Sequence, residues 1–462
     1  MGVLYPVKEI WRRFWVYSGL TVMTIVALIN FLMLLAILPV KYLVSETFYR
    51  RFTSILLHFS VPGFLCVPFS WCGCRVRCQG LGYLREYAEK NAVILSNHSA
   101  RIDWVIGLFI GTCYYSRVGF VTEAFVLLLP IVGWFRMLCE DMFVFRSFKR
   151  DKIRLEENIN GFHASNVKRW VFLSPEGMIC DFSDFDKKYI RDCRDFCKSR
   201  GLSPFEMCLT PRYKGITCFN KIVSNGVDEP AQNISVTMTY TQDGERLVKP
   251  LSDDTRVIPD LWTILSGGLD VDVHLHMLEL SNDPEVMKDQ LMNDYAMKDK
   301  LLKHFWEKGR YPAEHPVLKK APKGWAVYHD QAAGEPDAGH GPYQTVPVPH
   351  WRMNLSVIAQ MLLMVAAFRL SGLSVMLSTV VFLIWSAIAT SHILGQLLAN
   401  GQSRESLPFE GCTKALMFRM NGREGAKAEP EALPLGTEEK VPQDPRLSCQ
   451  IPCVAAADKK GE

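Results

Sequence analysis

The chain has 462 residues, 48% of them hydrophobic and 22% charged, which is enough apolar material for a large core and excludes global disorder. Its 52 Lys and Arg stand against 48 Asp and Glu, a formal net charge of +4, so the concentrated basic surface of a dedicated nucleic-acid binder is absent and no nucleic-acid partner is expected. The 14 cysteines are scattered without a CxxC pair, which excludes a dense disulfide scaffold and predicts reduced thiols.

Residues 14–40 carry no charge and are rich in Leu, Ile, Val and Met, long enough to cross a hydrocarbon layer of about 30 Å. The run ends in Pro39, Val40 and Lys41 rather than in a cleavage site, so it reads as an uncleaved anchor with its helix at about 16–40. Residues 52–74 also lack charged side chains, but Pro62 and Pro68 each remove a helical hydrogen bond, so a broken or interfacial helix is expected at about 52–72. Arg50, Arg51, Arg75 and Arg77 flank it at the expected headgroup level, and the two segments together suit a hairpin dipped into one leaflet. Residues 1–78 thus read as an N-terminal membrane anchor.

From 79 to 312 apolar runs alternate with amphipathic stretches. NAVILS, RVGFVT, DMFVFR and WVFLSP read as buried strands, with helices at 103–115, 124–138, 151–165 and 186–200. SVTMTY and DVDVHLHMLEL add two strands of period two, and 284–309 has a helical period stopped by Gly309, expected as a surface helix pair. The fold class is therefore α/β, a mostly parallel sheet flanked by helices. Residues 313–350 read as a linker and 351–403 as a C-terminal pair of membrane helices; 404–462, polar and poor in large apolar side chains, read as a disordered tail.

AVILSNHSARIDW places Asn97, His98 and Asp103 just after an apolar strand, where a strand-to-helix loop opens at the ligand-binding edge of such a sheet. An imidazole titrates near neutrality and can take a proton from a hydroxyl, and a carboxylate on its other nitrogen fixes the tautomer. HxxxxD alone carries little, since 11 histidines and an Asp frequency of about one in twenty give roughly half a match by chance. Its place after a strand gives it weight. Three further pieces follow strands: FVFRSFKRDK with Arg146, whose guanidinium suits a phosphate; FLSPEGMICD with Glu176 and Gly177; and LTPRYKG with Pro211 and Arg212. His274 and His276 share a strand face, but without a third ligand they read as lining a sheet surface, and no metal is assigned; Cys66, Cys72, Cys74 and Cys78 lack zinc spacing.

These four pieces, in this order, resemble the glycerolipid acyltransferase family with its NHxxxxD motif, and the trailing IDW is similar to the branch holding lysocardiolipin acyltransferase and the longer 1-acylglycerol-3-phosphate acyltransferases. The second block is carried by Pro130, Gly133, Trp134 and Arg146, and the resemblance runs over about 15–315. It implies an enzyme of an integral membrane, that of the endoplasmic reticulum, transferring a fatty acyl group from acyl-CoA, as co-substrate and with no cofactor or metal, to the free hydroxyl of a lysophospholipid such as 1-acyl-sn-glycerol-3-phosphate or lysocardiolipin. It further implies His98 as general base and Asp103 as its partner. Asn97, Arg146, Glu176, Gly177, Pro211 and Arg212 would line the substrate site, with Arg146, Glu176 and Gly177 on the acceptor side and Pro211 on the donor side. Two positions depart from the pattern: Thr122 and Glu123 stand where the family has a lysine, and Met178 where it has threonine. They motivate the second reading, a membrane-anchored lipid-binding protein of the same fold that has lost catalysis.

Overall fold

The computed structural model describes residues 4–86, 88, 90–114, 116–129, 131–179, 184–224, 232–253, 255–312 and 344–370. In chain order, helices α1 (Leu4–Leu43) and α2 (Glu46–Leu65) precede strand β1 (Arg75–Gln79), the short α3 (Leu81–Glu86), β2 (Ala92–Ser96), α4 (Asp103–Cys113), β3 (Val118–Glu123), α5 (Val132–Leu138), β4 (Met142–Val144), α6 (Phe148–Ala164) and β5 (Trp170–Leu173). There follow α7 (Asp184–Ser199), α8 (Tyr213–Ser224), β6 (Gln232–Gln242), β7 (Glu245–Arg246), α9 (Leu261–Leu265), β8 (Leu269–Leu278), α10 (Pro284–Lys308), β9 (Gln344–Thr345) and α11 (His350–Leu370).

Among the described residues the strands form one sheet of order β4-β3-β5-β2-β6-β8-β1-β9, with β7 paired to β6. Strands β4, β3, β5, β2 and β6 run parallel, so the chain leaves the first four at one common edge. Strand β8 runs antiparallel to β6 and parallel to β1. Period-two alternation splits the core: Ala92 and Ile94 of β2 join one large cluster, while Val93 and Leu95 join a second cluster with Leu155, Ile159 and Met287 on the other face.

The sequence reading meets four differences in the fold, three of them in the first half of the chain. Residues 75–79 form a strand, and Arg75 and Arg77 pair with Asp270 and Asp272 across β1 and β8 instead of anchoring a membrane segment. Helix α2 runs unbroken through Pro62 and continues into a π-helical turn, Cys66–Trp71. Proline removes the donor that would have met the His58 carbonyl, and Arg352 of α11 donates to it instead at 2.7 Å, while Ser356 donates to the Phe59 carbonyl at 2.7 Å. The expected helix over 124–138 is a 3-10 turn, Ala124–Leu128, followed by the separate α5. A Cβ on Gly133 would lie 2.0 Å from the Val126 carbonyl oxygen, so that packing requires glycine.

Helices Arg12–Leu43 and Glu46–Trp71 are long and apolar enough to cross a membrane. Of the expected C-terminal pair, only α11 falls within the described residues, and 371–403 and the tail lie outside them. Helix α10, capped by Asp283 and closed by the left-handed Gly309, is a single helix that buries much of its length, including Tyr295 and Lys298, rather than a surface pair.

Candidate active site

Strand β6 outruns β2, and its extension builds the wall of the site. After Ser96 the backbone of β2 turns away, and the Asn97 side chain continues the ladder: its amide donates to the Met238 carbonyl at 3.0 Å and its oxygen accepts from the Met238 N–H at 2.7 Å. Asn97 is fully buried, and its side chain ties the loop to β6. The loop 97–102 then folds back because the Asp103 carboxylate, in the first turn of α4, gathers its amides. Oδ2 accepts from Ser99 N at 3.1 Å and Ala100 N at 3.3 Å, as an acidic residue near a helix start reaches back to preceding N–H groups.

The same Oδ2 lies 2.8 Å from His98 Nδ1, and Oδ1 accepts from the Tyr240 hydroxyl. Burial and the neighbouring Asp103 push the Tyr240 phenol well above its usual range, so it remains a donor. Asp103 is 2% exposed, whereas the His98 side chain is 29% exposed. With Nδ1 engaged, Nε2 is the nitrogen left to accept a proton.

Glu176 joins three of the sequence blocks. It is buried, and its two oxygens accept from the backbone N–H of His98 at 3.0 Å and of Leu209 at 3.2 Å. Burial pushes its carboxyl up to about 7, against the lowering effect of those two N–H groups. It ties the His98 loop to the loop before Pro211 rather than facing outward. Gly177 sits at φ 72°, and a Cβ there would lie 3.3 Å from the Arg212 side chain, so that guanidinium rests on the turn. Arg212 is exposed; its N–H donates to the Pro175 carbonyl at 2.9 Å and its Nε to the Tyr189 hydroxyl at 3.2 Å. Pro211 is buried beside it.

The structure thus brings His98, Asp103, Asn97, Glu176, Gly177, Pro211 and Arg212 together at the ends of β2 and β5. Arg146 stands apart, after β4, three strands from β2, where its Nε and Nη2 both meet Glu123 Oε1.

Sequence reasoning missed the supports beneath the loop. Lys298 donates to the Leu95 carbonyl at 3.0 Å and the Val236 carbonyl at 2.8 Å, and the Tyr295 hydroxyl donates to the Ser96 carbonyl at 3.1 Å. Lys298 is fully buried beside Asp294, whose Oδ1 lies 2.8 Å from His276 Nε2 and accepts from Ser235 at 2.8 Å. Burial opposes both charges of this pair; Lys298 and His276 outweigh it for Asp294, whose carboxyl is held low, while the Lys298 ammonium is lowered. His274 and His276 line one face of β8, as the sequence reading has them, and both are buried there. The four-residue spacing of Asp294 and Lys298 on a helix was the one available signal. Among the described residues no group of three or more His, Cys, Asp or Glu side chains is set to hold a metal ion.

Residues 75–202 match the acyltransferase family model. The chain is similar to the probable 1-acyl-sn-glycerol-3-phosphate acyltransferase 5 of Arabidopsis thaliana, 25% identical over 231 residues that make up 49% of this chain and 56% of that protein. It is 28% identical to lysocardiolipin acyltransferase 1 of Mus musculus over 194 residues, 40% of this chain and 47% of that one. With 1-acyl-sn-glycerol-3-phosphate acyltransferase gamma of Mus musculus it shares 24% identity over 313 residues, 65% of this chain and 75% of the relative. The chain thus spans about half the length of the first two. No solved structure matches.

Proposed function

We propose that this chain, whose residues 75–202 carry an acyltransferase family domain, transfers a fatty acyl group from acyl-CoA to the free hydroxyl of a lysophospholipid. The observation that carries the reading is the His98 imidazole held by Nδ1 on a buried carboxylate, with its ring part-exposed at the common edge of the parallel strands. In this mechanism Nε2 takes the proton of the acceptor hydroxyl as its oxygen attacks the thioester carbonyl, and Asp103 stabilises the imidazolium that forms. The tetrahedral intermediate collapses with cleavage of the carbon–sulfur bond, and the same proton passes to the departing thiolate. One ester and one free coenzyme A thiol result.

Glu176 keeps the loop carrying the base fixed to its neighbour, and the exposed guanidinium of Arg212 offers an anion partner beside it. The enzyme is read as integral to a membrane, that of the endoplasmic reticulum, through α1, α2 and the C-terminal apolar segments, so the acceptor would arrive from the bilayer it sits in. The test is a panel of lysophospholipids with labelled acyl-CoA on purified membranes. Wild-type protein should form labelled diacyl product with stoichiometric thiol release. Absence of product with every acceptor would favour a lipid-binding protein without catalysis.

A further inference from the structure

Four side chains stand in a row along the common strand edge. His98 follows β2, Arg212 rests on the Gly177 turn after the neighbouring β5, Glu123 ends the next strand, β3, and Arg146 follows the outermost strand, β4. Glu123 and Arg146 are locked together through Oε1, yet both reach solvent, at 27% and 46%. Arg146 holds φ 61°, a left-handed conformation that is costly for a residue with a Cβ. The Asp151 carboxylate pins it there, accepting from the N–H groups of Phe145 at 2.8 Å and Ser147 at 3.0 Å on either side. The chain therefore maintains a strained backbone to hold one carboxylate and one guanidinium at this edge.

A carboxylate oxygen two strands from His98 accepts from a cationic headgroup and can make no such bond to a phosphomonoester dianion. Adjacent strands lie about 4.8 Å apart, so β2 before His98, β5 before the Gly177 turn that Arg212 rests on, and β3 ending at Glu123 follow at equal steps along the edge. In a lysophospholipid, four bonds separate the free hydroxyl oxygen from phosphorus, and four more separate phosphorus from the nitrogen of a phosphoethanolamine. Hydroxyl, phosphate and ammonium are likewise evenly spaced. We propose that the preferred acceptor carries a zwitterionic phosphoethanolamine headgroup, its phosphate on Arg212 and its ammonium on Glu123, with Arg146 balancing and orienting that carboxylate instead of binding the phosphate. One oxygen of Glu123, Oε2, remains to accept from the ammonium while Oε1 keeps Arg146. A bare phosphomonoester ends at Arg212 and has no donor for Glu123 Oε2.

This inference rests on the acyl-transfer reading and names its acceptor. The experiment measures kcat/KM with lysophosphatidylethanolamine and with lysophosphatidate in mixed micelles, for wild type, Glu123→Gln and Glu123→Lys. Wild type should favour the ethanolamine acceptor about ten-fold or more, the scale of one hydrogen bond to a charged group. Glu123→Gln should lose most of that preference through KM for this acceptor, and Glu123→Lys should invert it. A wild-type preference for lysophosphatidate, or one selectivity ratio shared by all three proteins, overturns the proposal. A parallel arm needs no turnover: equilibrium binding of glycerophosphoethanolamine and of glycerol 3-phosphate to the same proteins. Inactivity on every acceptor would sink the acyl-transfer reading, and the binding ratio would still decide this one, with tighter glycerol 3-phosphate binding by wild type counting against it.

Discussion

Replacing Asp103 by Asn should lower kcat by roughly ten- to 150-fold and leave both KM values near wild type. The carboxylate opposes the charge that develops on His98, and a hydrogen bond to a charged group is worth about 1.5–3 kcal/mol, at 1.36 kcal/mol per decade of rate. A loss of about 10⁴-fold would be expected if the asparagine amide turned its NH2 toward the ring and imposed the wrong tautomer. The structure argues against that turn. Oδ2 also accepts from Ser99 N and Ala100 N, so an NH2 in its place would face two N–H donors. On the other side, the Tyr240 hydroxyl now donates to Oδ1 and can rotate to accept from the new NH2. Steady-state kinetics in both substrates, with thermal unfolding as the check on folding, read the result directly. A loss beyond 10³-fold in a folded protein would refute the orientation argument, and an unchanged kcat would refute the role of Asp103 itself.

His98→Ala should abolish transfer in a protein that unfolds at the wild-type temperature, since the ring is part-exposed and its removal opens no core cavity; turnover above a tenth of wild type would remove His98 from the chemistry. Lys298→Met removes the ammonium beside the buried Asp294 carboxylate, which keeps Ser235 and His276, and should cost about 3 kcal/mol in denaturant unfolding, part of it restored by adding Asp294→Asn; equal stability of single variant and wild type would show that the pair is not coupled. Glu176, raised from 4.5 to about 7, is favoured in its neutral form by the fold, so its contribution is present below pH 4.5 and is lost as pH climbs to about 7. That term, on the order of 3 kcal/mol, should vanish in Glu176→Gln, seen as a flatter dependence of unfolding free energy on pH over that window; parallel curves for the two proteins would contradict it.

The sheet was legible because buried strands leave apolar runs: AVILS and WVFL announce β2 and β5, and the switch to helical period marks α4 and α6. Strand β1 was not, because RVRCQ carries two arginines whose partners, Asp270 and Asp272, lie some 195 residues away and turn an apparent headgroup belt into a paired strand. His98 and Asp103 stood out because they lie five residues apart where β2 hands over to α4. The inward turn of Glu176 did not, since a carboxylate flanked by Pro175 and Gly177 reads as exposed until two backbone amides from distant loops are seen to fill both its oxygens. The pairing of Arg146 with Glu123 likewise needed the β3 and β4 register, which brings Glu123 beside Val144.

This division follows from what each group must do. A base has to be reachable, so it sits on a loop, and a loop lacks the regular hydrogen bonds that would hold it still. The constraint must then come from side chains delivered by rigid elements, and here they arrive from far along the chain. Tyr240 on β6 lies 137 residues from Asp103, Tyr295 on α10 lies 199 from Ser96, and Lys298 lies 203 from Leu95. Each ends on a carbonyl at the end of β2 or on the Asp103 carboxylate that opens α4, on either side of the loop that carries His98. On the proposed function the motif marks where protons move, while the precision of the site is written into β6 and α10, whose residues form no recognisable pattern until the fold brings them under the loop.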